Sequence, residues 1–334
     1  MGKEQITKRG CTSLMKCRFL LFLIMVEATG WCAPPVIERF NPRQFHIKST
    51  ITPHFKKGKP DELVMLAAYP QDCLYQTISS FKKPCGKIYN FPKDCGKYIT
   101  YHARKKFPPL VREFDVTVYD IRVNWEQIKE IPPPSGVQKY FTQNRGDVII
   151  RDLPEILKIS RELSENTGNV IEYAKAAYLY VTKNYKYGNA PSNCLKDFLT
   201  YRTGNCGNLT AVYCSLLRAK NIPARDVLGI RPDGSCHVWA EFFLDGTGWI
   251  PVDVTFDLGL GETFRHFGYY HDDCVVMHKD LFFRVFNGRK DIDLECLQTT
   301  CYWFWTSRKI GDIDIQFEFR GDRIQYPTPQ REKF

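Results

Sequence analysis

The sequence predicts an α+β fold in which a helix that starts on a cysteine packs against an antiparallel sheet, with a β-rich region ahead of both. Three observations predict it. Residues 31–150 carry strand-like patterning and no long amphipathic helix, residues 152–220 carry helical periodicity, and residues 224–254 carry short apolar runs divided by the turn LDGTG. A chain of 334 residues is long enough for two modules. The expected division is a leader over 1–30, a β-rich domain or extension over 31–150, and an α+β domain over 151–334 that ends in a β extension.

Composition limits the classes of function. With 43% hydrophobic, 14% aromatic and 25% charged residues, the chain is an ordinary globular protein rather than a disordered, fibrous or multispanning one. Its start is different: MKCRFLLFLIMVEATGWCA reads as a basic start, an apolar core from Phe19 to Val26 and a small-residue exit. That is the pattern of a secretory signal cleaved near Gly30, and the core is about half the length of a bilayer-spanning helix. The expected location is therefore exported: periplasmic, cell-surface or extracellular. In such a compartment some of the ten cysteines beyond residue 32 should pair, and PCGK and DCGK around Cys85 and Cys95 suggest a small stapled loop.

Formal charge is +10, from 47 basic and 37 acidic residues. Between Lys82 and Lys106 eight basic residues accompany a single acid, Asp94. Such a stretch is usually a solvated surface, and its functional reading is contact with an acidic polymer or envelope surface. No nucleic-acid fold surrounds it, so no nucleic-acid partner is expected. No phosphate loop, CxxC pair or metal-ligand constellation occurs, and the expected chemistry is free of cofactors and metals.

Taken in order, Phe114, Val116 and Val118 alternate, and the alternation resumes at Ile121, Val123 and Trp125 after a one-residue slip, which predicts a bulge or turn. IPPPSG, from Ile131 to Gly136, closes this region. A helix is predicted from RDLPEIL, with Asp152 as cap and Pro154 in the first turn. A second is predicted from Val170 to Asn184, and a third from Gly207 to Lys220, where Leu209, Val212, Tyr213, Leu216 and Leu217 follow a three-four rhythm before Asn221 and Pro223. Strands follow in ARDVLGI, HVWAEFFL and GWIPVDV, and a last one in DIDIQFEF near the end.

Cys206 sits just where the third helix should begin. Unpaired N–H groups and the positive end of the helix dipole would stabilise its thiolate there. A nucleophile also needs a proton-handling partner held in orientation. LDGTG is a hairpin turn, and the midpoint of His237 and Asp253 is position 245, beside Gly246. The two residues should then face each other across the hairpin within a residue or two of register, giving an imidazole steadied by a carboxylate. Alone, each residue would read as core, surface or turn. The symmetry argues for all three together. Trp239 and Glu241 share the His237 face; Trp239 reads as packing, while Glu241 and Arg225 read as ion-pair members. Cys214 and Cys236 read as core. Asn208-Leu-Thr210 matches a glycosylation sequon but falls inside the predicted helix, and is discounted.

The segments G-N-C before a helix, LLRAKNIPAR, H-V-W-A-E and GWIPVDVT, in this order and spacing, closely resemble the core of the transglutaminase-like superfamily of papain-like cysteine enzymes. The resemblance covers about Leu153 to Tyr270. It implies that Cys206 is the nucleophile, His237 the general base and acid, and Asp253 the orienting carboxylate, working by acyl transfer through a thioester. The Cys206 N–H would form part of the oxyanion site, with Tyr187 and Asn205 as candidates for the second donor. No calcium loop is present, so calcium-regulated cross-linking is not implied. The expected function is a secreted peptidase or amidase acting on a protein or peptide. Glutamine–lysine cross-linking and a non-catalytic binding scaffold of the same fold are the alternatives.

Overall fold

Alternating apolar and polar residues from 37 to 55 form the longest strand, β1 (Ile37–Phe55), in which Phe45, Ile47 and Ile51 point inward. The computed structural model describes residues 35–324 apart from 83–84, 130–135 and 137. The predicted leader and its cleavage point lie outside the described residues, as does most of IPPPSG. Next come β2 (Glu62–Tyr69), β3 (Gln76–Lys82), β4 (Lys87–Asn90), β5 (Lys97–Arg104) and β6 (Leu110–Val123). The predicted slip is real, but the extra residue belongs to the partner strand. Phe40 pairs with Asp120 and Arg43 with Val118, so Asn41 and Pro42 together oppose Tyr119. Asn41 takes φ 49 to do so. Trp125 falls in a 3₁₀ turn rather than in the strand.

The helical half contains α1 (Pro154–Ser164), α2 (Val170–Asn184), the two-residue strand β7 (Lys186–Tyr187), α3 (Leu195–Tyr201), the equally short β8 (Thr203–Gly204) and α4 (Cys206–Ala219). The cap of α1 is Leu153, not Asp152, whose carboxylate instead accepts a hydrogen bond from Asn144 at 3.0 Å. The remaining strands are β9 (Ala224–Ile230), β10 (Cys236–Leu244), β11 (Gly248–Val252), β12 (Tyr269–Tyr270), β13 (Val275–Lys279), β14 (Phe283–Phe286), β15 (Asp291–Leu294), β16 (Thr300–Trp305) and β17 (Ile313–Arg323).

Three layers position the site. The antiparallel sheet β11-β10-β9-β13 lies in the middle. On one face it buries Val238, Ala240, Phe242 and Leu228 against the apolar side chains of α1, α2 and α4. On the other, Val227, Trp239, Ile230 and Met277 pack against residues of the sheet β12-β6-β1-β17, including Ile121, Phe45 and Val116. α4 is therefore enclosed, with Asn208 to Arg218 all buried.

Strands from the end of the chain complete sheets begun at its start. β17 pairs with β1, β16 with β2 and β12 with β6. The described residues from Pro35 on belong to one compact unit. Non-local pairing of this kind leaves no composition signal, because each strand looks complete in its own neighbourhood.

All ten cysteines in the described residues are free, so the expected pairing is not present. Cys95 is buried and its thiol is directed at the Lys93 carbonyl, while Cys85 is exposed.

Candidate active site

Cys206 stands at the first position of α4 because the residues around it build a cap. The Asn205 side-chain oxygen accepts from the Gly207 N–H at 2.9 Å and the Asn208 N–H at 3.2 Å, and the Asn208 side-chain oxygen accepts from the Asn205 N–H at 3.1 Å. This reciprocal capping box explains why NCGN starts a helix. It also removes the sequon from use: Asn208 is 3% exposed and donates to the Ser192 carbonyl. The Cys206 N–H has no intrahelical acceptor at this position and remains available to a developing oxyanion. Asn205→Ala should cost about 1 kcal/mol of stability, measured by urea unfolding, because two N–H groups lose their acceptor.

His237, 4% exposed, is the second residue of β10. Its Nε2 pairs with Asp253 Oδ2 at 2.6 Å. The Cys206 side chain is near enough to act on the ring as well. Since Nε2 is held by the carboxylate, Nδ1 is the nitrogen left to face the sulfur. Burial disfavours the charged ring, but the Asp253 carboxylate and the Cys206 sulfur outweigh it and raise the His237 pKa to about 10. An imidazolium at neutral pH is the partner that stabilises a thiolate. A raised pKa also means that the stabilisation from this charge is complete below about pH 6.5 and is lost as the pH rises through about 10. The Tm advantage of the wild type over His237→Gln should shrink across that window in a pH series of thermal melts.

The hairpin register accounts for the diagonal reach of Asp253. Ala240 pairs with Val252 and Leu244 with Gly248, which centres the turn on Gly246, one position beyond the sequence midpoint. Extended by one residue, the ladder sets Asp253 opposite Trp239 and diagonal to His237 on the same face, a separation that side chains span. Three further bonds hold Asp253: its N–H donates to the His266 carbonyl at 2.9 Å, its Oδ1 accepts from the Thr255 N–H at 2.9 Å, and its carbonyl accepts from Tyr178 Oη at 3.3 Å. Tyr178 also donates to Asp257 at 2.7 Å, and Asp257 pairs with His266 at 2.9 Å.

The imidazole lies between two rings. Trp239 is parallel to it with centroids 6.0 Å apart, and Phe256 is tilted at 5.3 Å. Gln298, which carried no signal in the sequence, donates to the His237 carbonyl at 3.0 Å and the Gly229 carbonyl at 2.6 Å, fixing the start of β10. Glu241 and Arg225 form the expected ion pair at 2.8 Å, and Lys279 joins them at 2.9 Å.

Beside Cys206 opens a cavity of about 340 Å³. Both Tyr187 and Asn205 line it. Tyr187 is brought there by the parallel pairing of β7 with β8, which sets it opposite Gly204, two residues before the cysteine. Its hydroxyl pKa is raised by burial and by the charge of Cys206 nearby. Cys236 corrects the expectation of a core thiol: it is exposed and lines the same cavity. Cys236 does share a face with Val238, but at this end of β10 that face borders the cavity instead of packed helix. Cys214 is buried as expected. Among the described residues no helix is long and apolar enough to cross a membrane, and no group of His, Cys, Asp and Glu could hold a metal ion.

Comparison with known proteins agrees with this fold. Residues 157–254, from α1 to the end of the hairpin, match the transglutaminase-like superfamily. That stretch is similar to the superfamily's core, and the fold is α+β with a β-rich N-terminal region. The crystal structure of a candidate cysteine protease from Cytophaga hutchinsonii superposes with a TM-score of 0.60, covering 87% of this chain and 94% of that one at 15% identity. An uncharacterised protein of Haemophilus influenzae is 27% identical over 164 residues. That alignment covers 39% of this chain and spans 43% of the length of the relative.

Proposed function

We propose that this protein is an exported cysteine hydrolase of peptide or isopeptide amides, with Cys206 as nucleophile, His237 as general base and acid, and Asp253 as the carboxylate that orients the ring. The observation that carries the reading is His237 itself, a buried imidazole clamped by Asp253 at 2.6 Å through Nε2, with its pKa raised by Asp253 and by Cys206. A core histidine without charge partners is pushed the other way by burial, as His278 is, to about 4.

In this mechanism the thiol proton rests on His237, and the Cys206 sulfur adds to the amide carbonyl carbon. The carbonyl oxygen becomes an oxyanion facing the Cys206 N–H, with the Tyr187 hydroxyl or the Asn205 amide as second donor. On collapse the C–N bond breaks and His237 gives its proton to the leaving amine. Water then loses a proton to His237 and adds to the thioester. The acid product leaves, the sulfur departs as thiolate, and the pair is restored. Asp253 keeps Nε2 protonated throughout, so Nδ1 alone exchanges protons.

Export is supported by the basic and apolar pattern of residues 1–30. Lys87, Lys93, Lys105 and Lys106 are exposed and could meet an acidic polymer of the envelope. The reading is tested by incubating the purified protein with denatured casein and a fluorescent primary amine. New peptide termini without label support hydrolysis. Label built into protein would assign a transferase, and no reaction of either kind would leave a binding scaffold.

A further inference from the structure

The cavity beside Cys206 is also lined by a carboxyl that forms no salt bridge with any Lys or Arg of the described residues. Asp226 is the third residue of β9 and only 2% exposed. Its side chain lies on the face turned towards α4, where its Oδ1 accepts from the Cys214 thiol at 3.4 Å. A thiol is a weak donor. The guanidinium of Arg218, also on α4, is committed elsewhere: Nε to the Ala224 carbonyl at 2.8 Å, Nη1 to the Gln143 carbonyl at 2.6 Å and Nη2 to Asp280 at 2.8 Å. Arg145 is likewise bound to Asp280, at 2.6 Å. Two guanidiniums thus serve Asp280 and none is paired with Asp226.

A buried carboxyl with so poor a partner set is costly to the fold, and such groups are kept where a ligand uses them. The surroundings indicate which ligand. Val148, Leu228, Val238 and Leu281 give the cavity apolar walls. Glu295 is a second acid in the lining, held by the Asn193 amide at 3.2 Å. No Lys or Arg of the described residues lines the cavity. An apolar passage with two carboxyls and no cation matches an alkyl chain that ends in a positive charge.

We propose that this cavity is a substrate pocket and Asp226 its specificity residue, receiving a primary ammonium on an alkyl chain, of the lysine side-chain kind, from a substrate whose amide carbonyl lies at Cys206. The proposal rests on the reading of Cys206 as nucleophile. It adds what the substrate carries. Burial pushes the Asp226 carboxyl up to about 7, against the pull of Arg218. The other ionisable groups around it are Asp280, Cys214 and Arg145, with Cys296 beside it in the cavity. An arriving ammonium would draw the proton off, so its binding strengthens as the pH rises through about 7.

The test is the alkylation rate of Cys206 in the full-length protein by chloroacetamides with ω-ammonioalkyl tails of two to six carbons, each against the n-alkyl reagent of equal length. Every rate is divided by that of iodoacetamide with the same protein. At pH 8 one tail length should favour the ammonium by roughly tenfold or more. The preference should collapse towards one at pH 5.5, and at pH 8 in Asp226→Asn. A ratio at or below one for every length, or a ratio that Asp226→Asn leaves intact, overturns the proposal. Iodoacetamide reports the nucleophile separately, so a failed pocket and a failed nucleophile are distinguishable. Calorimetric binding of n-butylammonium, stronger at pH 8 than at pH 5.5, tests the pocket even if Cys206 does not react or Asp226→Asn does not fold; no binding at pH 8 contradicts it.

Discussion

Replacing His237 with Ala is expected to lower the rate of amide hydrolysis by roughly four to six orders of magnitude, the loss seen when a member of a nucleophile–base unit is removed. The reason lies in the arrangement of the ring. In the proposed mechanism Nδ1 takes the thiol proton and later delivers it to the leaving amine, while Nε2 is tied to Asp253 at 2.6 Å. Without the imidazole the sulfur loses its partner at both steps. The variant should melt lower, because Asp253 is left buried without its partner, yet keep its fold, since β10 keeps its ladder to β9 and β11 and the Gln298 bond is made to the backbone of residue 237. Turnover of casein by the variant, alongside its circular dichroism, checks both halves. A variant that folds and retains more than about a hundredth of the activity would remove His237 from the chemistry.

Glu241→Ala should have the largest effect on stability, about 3–5 kcal/mol and a fall in Tm of roughly 10 °C. Glu241 is fully buried, with Arg225 and Lys279 both bonded to its carboxylate. Burial opposes its charge, yet the two cations more than compensate and hold its pKa down to about 2. Removing it strands two cations beneath Tyr75 and Trp249. A depressed pKa also fixes the direction with pH: this stabilisation is present above about pH 4.5 and is lost as the pH falls through about 2. Differential scanning calorimetry at pH 7 measures the first effect. A Tm within 2 °C of the wild type would show that the triad is not what holds β9, β10 and β13 together.

Both residues were legible in the sequence because hairpin geometry is local. LDGTG fixes a turn, parity fixes a face, and His237, Trp239 and Glu241 must then share it. The midpoint missed by one position because the turn centres on Gly246, and a diagonal contact between His237 and Asp253 replaces a direct one. Cys206 was legible for a similar reason, since the rhythm of Leu209, Val212, Tyr213, Leu216 and Leu217 places a helix start beside it; the Asn205–Asn208 capping box emerged only from the structure. What was not legible comes from distant segments. Gln298 reaches the His237 carbonyl from 61 residues away, and Glu295 and Cys296 enter the cavity from the same stretch. β17 completes the sheet begun by β1 across more than 250 residues of chain, a pairing that neither strand announces. Asp226 was not singled out either: ARDVLGI reads simply as a strand, and nothing local shows that a cavity reaches its third residue.

The measurement that bears most directly on the account is the alkylation rate of Cys206 by iodoacetamide from pH 4 to 9, read by mass spectrometry in the wild type and in His237→Ala. The account predicts labelling of Cys206 that stays fast well below pH 7 in the wild type. In the variant it should be slow until the pH approaches about 8.5, where an ordinary thiol ionises. Labelling that is slow at neutral pH, or equal in the two proteins, would contradict the Cys206–His237 ion pair and with it the hydrolase mechanism.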